Sequence, residues 1–197
     1  MSNASPPLPD ARTRLLDAAE AIVMARGVAG LTLEAAARDA GVSKGGLLYH
    51  FASKEALLDA MLRRLAGIME RQFETGVAAQ AEGPGRVTRA MLEWGFGEPG
   101  PDAEAMLCVA NAQHDRAAAV FLAAFHHDPQ LLDPVREVVA RIRAATAADG
   151  LPPGVGSAIH AACDGLFIAR LFRLYDPTKE ERAETRAALM RLLEMPA

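Results

Sequence analysis

Three groups of residues in this sequence have types and spacing that could do chemistry. His160, Cys163 and Asp164 fall at i, i+3 and i+4, which puts a base, a thiol and a carboxylate on one helix face. Neighbouring positions on one rigid helix do not aim convergently at a substrate, and no oxyanion element accompanies them. A hydrogen bond between His160 and Asp164 within the helix is the simpler expectation, and no enzymatic activity is expected. His126 and His127 suggest a metal, but adjacent helical residues point about 100° apart and cannot both ligate easily. No metal and no cofactor is expected. The third group is Ser43-Lys44-Gly45-Gly46, followed by Tyr49-His50 and Ser53-Lys54. Its two adjacent glycines each cost up to about 1 kcal/mol against alanine in a helix interior. A short helix that weakens its own first turn must gain something there.

The elements that would position these groups are helical almost throughout. Leu15, Ala18, Ala19, Ile22 and Val23 form one apolar stripe that ends before Gly27, with Asp10 available as a cap. Thr32 reads as the N-cap of a short second helix, with Glu34 in its first turn and Ala36, Ala37 and Ala40 facing inward. Gly41 stops that helix, Ser43 caps a third through about His50, and Ser53 caps a fourth from Lys54. Leu57, Leu58, Met61, Leu62, Leu65, Ile68, Met69 and Phe73 carry the fourth helix on for more than four turns before Gly83-Pro84-Gly85. Later breaks fall at Gly97 to Pro101, Asp149 to Gly154 and Asp176-Pro177. Asp128-Pro129 and Asp133-Pro134 each read as an N-cap followed by proline, and Thr178 with Glu181 as a capping box. No alternating strand pattern and no internal repeat is present. The fold expected is all-α with nine or ten helices: an N-terminal three-helix helix-turn-helix domain joined by a long fourth helix to a C-terminal helical bundle.

Composition narrows the class. The chain of 197 residues can bury a core, and 51% hydrophobic with 23% charged residues is an ordinary globular balance. No apolar run approaches the roughly 20 residues of a membrane span, so no membrane partner is expected. Residues 1–10, with Pro6, Pro7 and Pro9, are expected to form a disordered arm and not a secretory signal. Cys108 and Cys163 are too few and too far apart for a disulfide framework, so a reduced, cytoplasmic setting is expected. A net charge of −4 works against nucleic-acid binding through global charge; any such binding must rest on a local surface.

Helices two and three supply such a surface. About eight residues, a turn containing Gly41, then about seven residues make the helix-turn-helix pattern. Helices this short must be held by packing, which the first helix, Leu31, Val42, Leu47 and Phe51 can provide. A two-turn helix that presents its N-terminal turn outward is placed for a DNA major groove. Residues 12–60 resemble the DNA-binding domain of the TetR family of bacterial transcriptional repressors. The resemblance runs through Ala25-Arg26-Gly27, Leu31-Thr32-Leu33, Ala36-Ala37, Ala40-Gly41-Val42-Ser43-Lys44-Gly45, Leu47, Tyr49-His50-Phe51 and Ser53-Lys54-Glu55-Ala56-Leu57-Leu58. Beyond about residue 80 the chain resembles the family only as a helical bundle of the right length.

That resemblance implies roles for particular residues. Thr32 would offer its hydroxyl and backbone N–H to a phosphate; Ser43 and Lys44 would open the recognition helix, Lys44 reaching guanine or phosphate. Gly45 and Gly46 would let that turn lie close against DNA. Tyr49 and His50 would hydrogen-bond the DNA backbone, and Lys54 would contact phosphate. The family often carries a polar residue at position 46 and an aromatic at 48; Gly46 and Leu48 depart from this, so side-chain contacts are not expected from either. Read without the resemblance, Tyr49 could be a half-buried aromatic, His50 could make a local structural hydrogen bond, and Lys54 could be an ordinary solvated lysine.

For the rest of the chain the resemblance implies small-molecule sensing and dimerisation. The expected domains are therefore the arm 1–10, the helix-turn-helix domain 11–54, and a ligand-binding and dimerisation domain 55–197. The last two helices are expected to pair two copies, through small residues at Ala161 to Ala169 followed by Leu171, Phe172 and Leu174, and through Leu189, Leu192 and Leu193. The same stripe could be intramolecular core. Met91, Trp94, Met106, Asn111, His114, Phe121 and Phe125 mix aromatic, Met and polar groups in the manner of an apolar effector pocket, and equally of a core. The expected whole is a homodimeric repressor on a palindromic double-stranded DNA operator, released by a small-molecule effector. A helical ligand-binding or interaction protein without DNA binding, and an activator of the same fold, are the alternatives.

Overall fold

The computed structural model describes residues 10–97, 119–172 and 174–194. The expected arm, except for Asp10, and the candidate pocket residues Met106, Asn111 and His114 lie outside the described residues. Those described form α1 (Ala11–Gly30), α2 (Leu33–Asp39), α3 (Lys44–His50), α4 (Lys54–Ala78), α5 (Arg86–Phe96) and α6 (119–127). A 3-10 turn (Pro129–Leu132) leads into α7 (Asp133–Ala147), followed by α8 (Val155–Leu171) and α9 (Lys179–Leu193). The fold is all-α. Two compact units divide at Leu65: one runs up to that residue and includes the described residues 119–134, while the other begins at Ala66 and takes in α5 and the described residues from Val135 onward.

The first unit is built on α1, whose N-terminus is capped where Thr13 N–H donates to Asp10 Oδ1 (2.9 Å). Leu15, Leu16, Ala19, Ile22 and Val23 are buried on its inner face. The stripe ends before Gly27, as expected, but the helix does not: Gly27 leaves the helical region (φ 67°, ψ −174°) and Val28 to Gly30 resume it. Helix α2 starts where Ala35 N–H donates to Thr32 Oγ1 (3.0 Å) and buries Ala35, Ala36 and Ala37, with Ala40 half-buried. Val42 N–H then donates back to Ala37 O (2.9 Å), closing the turn around Gly41. Helix α3 buries a single residue, Leu47. Leu57, Leu58, Met61 and Leu62 of α4 complete the core, while Leu65, Ile68, Met69 and Phe73 farther along are half-buried.

In the second unit α5 packs on α8 at a close approach: a Cβ placed on Gly95 would lie 2.7 Å from Cys163 Sγ. The N-terminus of α5 has a glycine, Gly85, at its cap position and no local side chain to satisfy its amides. Asp149, from the loop after α7, does so instead. Its carboxylate accepts from Val87 N–H (3.1 Å) and Thr88 N–H (2.7 Å), and its carbonyl accepts from Gly85 N–H (2.8 Å). A carboxylate at a helix N-terminus meets both the unpaired amides and the positive end of the dipole. Asp149→Ala is expected to lower stability by about 1–2 kcal/mol, read from urea denaturation. An unchanged denaturation midpoint would remove this cap from the account.

The last helix carries the expected capping box: Thr178 Oγ1 accepts from Glu181 N–H (3.2 Å), and Glu181 Oε2 accepts from Thr178 N–H (2.8 Å). No residue of α9 is buried. Polar contacts tie it to α5, through Arg186 on the Glu93 carboxylate and Arg182 on Gly95 O (3.4 Å).

Candidate nucleic-acid interface

The geometry of this surface follows from two adjacent leucines. Neighbouring helical side chains point about 100° apart, so α3 can bury only one of Leu47 and Leu48. Leu47 has no exposed surface, which turns Leu48 (43% exposed) and Tyr49 (86% exposed) outward. Lys44, Gly45, Leu48 and Tyr49 thus share the outer face of α3 at i, i+1, i+4 and i+5. Tyr49 is not the half-buried aromatic of the alternative reading. Its ring meets His50 edge to face, with centroids 5.1 Å apart. His50, half-buried, stands between Tyr49 and the buried Phe51 ring, and the Arg12 guanidinium lies 5.5 Å from the centre of that ring.

The caps occupy part of the expected chemistry. Ser43 Oγ accepts from Gly46 N–H (3.1 Å) and Thr32 Oγ1 from Ala35 N–H, leaving each hydroxyl hydrogen to donate outward. The glycine pair divides. Around Gly45 a Cβ would meet nothing within 4 Å, so its backbone lies open to an approaching ligand. Gly46 differs: a Cβ there would lie 2.9 Å from Val42 Cγ1 and 3.2 Å from Ser43 Oγ. Close packing under the cap accounts for glycine at 46, whatever lies outside.

Both lysines have protein partners. Lys44 Nζ pairs with Glu34 Oε1 at 2.8 Å across the turn, with both side chains about two-thirds exposed. That contact holds the Lys44 ammonium above its ordinary range and the Glu34 carboxyl below its own. Glu34 is the site residue that sequence reasoning missed; its signal was an acid in the first turn of one short helix and a lysine in the first turn of the next. Lys54 Nζ donates to Val28 O (2.9 Å), a carbonyl in the last turn of α1 that the break at Gly27 precedes. Lys54 therefore has a structural contact in addition to any contact with phosphate. Beside it, Glu55 accepts from His127 (2.7 Å); its carboxyl is lowered to about 2, first by the Ser53 hydroxyl, then by its own backbone amide and His127.

The group on α8 is packed into the second unit. The Cys163 thiol donates to Met91 O (3.5 Å) and is pushed up to about 12 by burial, so it is no nucleophile near neutral pH. His160 is buried 3.5 Å from Asp164 Oδ1, and burial lowers its pKa. The candidate pocket residues divide between the units. In the second, Met91 is buried and Trp94 is 39% exposed beside Phe73, ring centroids 6.5 Å apart. In the first, Phe121 is half-buried and Phe125 exposed.

A two-turn helix presenting a lysine, an open glycine backbone and a tyrosine across a tight turn from a second short helix is the helix-turn-helix arrangement found in DNA-binding domains. Comparison with known proteins agrees. Residues 15–61 match the model of bacterial regulatory proteins of the tetR family, and residues 85–194 match the tetracyclin repressor-like C-terminal domain. The chain belongs to the TetR family, with the family's DNA-binding domain at its N-terminus. It is 38% identical over 64 residues to the HTH-type transcriptional regulator SrpR of Pseudomonas putida, covering 32% of this chain and 30% of that protein. It is 37% identical over 82 residues to the HTH-type transcriptional repressor KstR2 of Rhodococcus jostii (strain RHA1), covering 42% and 38%. The chain thus spans less than half the length of these curated relatives. Solved structures match nearly throughout, among them two at 28% identity. The multidrug binding protein EbrR complexed with malachite green is 28% identical, with 96% of this chain and 100% of that one covered and a TM-score of 0.64. A TetR family member from Streptomyces coelicolor A3, SCO1917, is also 28% identical, with the same coverage and a TM-score of 0.61. Among the described residues no helix is long and apolar enough to cross a membrane.

The Glu34 contact yields a prediction. Glu34→Gln releases Lys44 and removes a negative charge from the surface facing phosphate. DNA binding should tighten by about two- to fivefold in fluorescence anisotropy at low salt, with the gain reduced in a Lys44→Ala background to the part that the lost carboxylate charge contributes alone. An unchanged affinity would mean that the ion pair does not restrain Lys44.

Proposed function

We propose that the chain represses transcription as a homodimer on a palindromic operator and is released by a small-molecule effector. The observation that carries the DNA half of this reading is the outward face of α3, with Lys44, Gly45 and Tyr49 exposed together. Thr32, Ser43, Gly46, His50 and Lys54 flank it: Thr32 and Ser43 as hydroxyl donors, Gly46 through its close backbone, His50 and Lys54 on the phosphates. Phosphate neutralisation predicts specific binding that weakens steeply with salt, log K falling by about 0.9 per log salt for each phosphate engaged. Gel shift against the DNA upstream of the chain's own gene tests this; no sequence preference at low salt would defeat the reading.

The dimer rests on how α8 divides its residues. Ile159, Cys163 and Leu166 are buried within the unit, while Ala161, Gly165, Ile168 and Phe172 are exposed at i, i+4, i+7 and i+11. A stripe of small residues followed by exposed apolar ones suits the close approach of a second α8. The half-buried Leu189, Leu192 and Leu193 of α9 extend the apolar surface. Two recognition helices about 34 Å apart would then enter successive major grooves. Ile168→Glu should give a monomer by sedimentation and weaken operator binding by about 100-fold or more, because the second half-site no longer adds its effective concentration. A monomeric native chain, or a dimeric variant, would move the interface elsewhere.

Release by an effector follows population-shift logic: a ligand that prefers badly spaced recognition helices frees the operator. Support comes from EbrR, a multidrug binding protein solved with malachite green, and from the half-exposed Trp94 beside Phe73. Met91 and Trp94, both of the second unit, are the described residues on which this reading rests. Trp94 is the sole tryptophan, so its emission should change on titration with an aromatic dye such as malachite green, in step with loss of the gel shift. Emission that never responds while DNA is released would place the effector away from Trp94.

A further inference from the structure

We propose that Leu48 is a specificity-determining residue that reads the 5-methyl group of thymine in each operator half-site. The inference rests on the DNA-binding reading of α3 and reverses the sequence expectation that position 48 contributes no side-chain contact. Leu48 is exposed because Leu47 takes the buried position, and Lys44, Gly45 and Tyr49 share its face. A helical side chain covers the surface over the turn N-terminal to its own Cα. For Leu48 that turn contains Gly45, three residues back, above which nothing lies within 4 Å of a Cβ position. The missing side chain at 45 therefore leaves room for the leucine methyls and a base edge to meet. In the major groove every base presents hydrogen-bonding atoms that leucine cannot satisfy, and thymine alone adds a methyl group beside its O4 acceptor. An aliphatic side chain placed between a lysine and a tyrosine thus prefers thymine and disfavours bases whose polar atoms it would desolvate without a partner. Gly46 adds no competing side chain at this end of the helix, a Cβ there having no room beside Val42.

The test uses the full-length protein and a duplex obtained by selection from random DNA. Each thymine of that duplex is replaced singly by uracil, which removes the methyl and keeps every hydrogen bond. The native chain should lose about fourfold in affinity at one position per half-site, the worth of one buried methyl, and about 15-fold when both half-sites carry the change. Leu48→Ala should bind the thymine and uracil duplexes equally at that position, while Lys44→Ala should keep the fourfold difference. Because Leu48 is exposed, both variants should unfold at the native temperature. Indifference of the native chain to every uracil, or a fourfold difference that survives in Leu48→Ala, overturns the proposal. Selection that returns no preferred duplex overturns the DNA-binding reading itself, and the thymine contact with it.

Discussion

The burial of Leu47 is the constraint on which the surface of this protein depends. A helix of seven residues cannot hold itself in water, and its orientation is set by whichever side chain it commits to the core. Full burial of one leucine is worth about 1.5–3 kcal/mol, more than any exposed contact on the same helix can contribute. With Leu47 inward, the roll of α3 about its axis is settled, and Lys44, Gly45, Leu48 and Tyr49 face away from the core. Helix α3 packs on α2 and α1, the elements whose buried residues include Ala35, Ala36 and Ala37 and the inner face of α1. What the outer face presents is thus a by-product of packing at the inner one.

The same physics of short elements explains the polar contacts around the interface. Each short helix has its first turn satisfied by a hydroxyl, Thr32 for α2 and Ser43 for α3, because unpaired amides at a helix start need acceptors. The ammonium of Lys54 sits on a carbonyl at the end of α1, where the dipole is negative. Lys44 and Glu34 pair on this face, so any ligand that takes the ammonium must compete with a carboxylate. A paired lysine is preorganised but not free, and the carboxylate beside it favours ligands that outcompete it, as a phosphate or a guanine edge in the right register would.

Much of this was legible in the chain itself. Caps at Asp10, Thr32, Ser43 and Thr178 could be read because capping depends on residues within three positions of one another, as could the apolar stripes of α1 and α4. The contact of Asp149 with the amides of α5 could not, since its partners lie about 60 residues away and no local pattern marks them. The break at Gly27 was visible, but the resumption of helix beyond it was not, because Val28 to Gly30 carry no stripe. Leu189, Leu192 and Leu193 read in the sequence as either a contact between two copies or internal core, and they are half-buried, for periodicity reports a face without saying what covers it.

Sequence alone determined the helix-turn-helix, its spacing and the family, because these are encoded by local caps, breaks and residue types in fixed order. Tertiary structure decided which of two adjacent leucines is buried and which of two adjacent glycines is open. It also decided that Cys163 and Leu166 turn inward while Gly165 and Ile168 turn out. Each choice lies between neighbours of like or similar chemistry. What separates them is the 100° between successive residues and the position of another helix, and neither is written in the types of the residues.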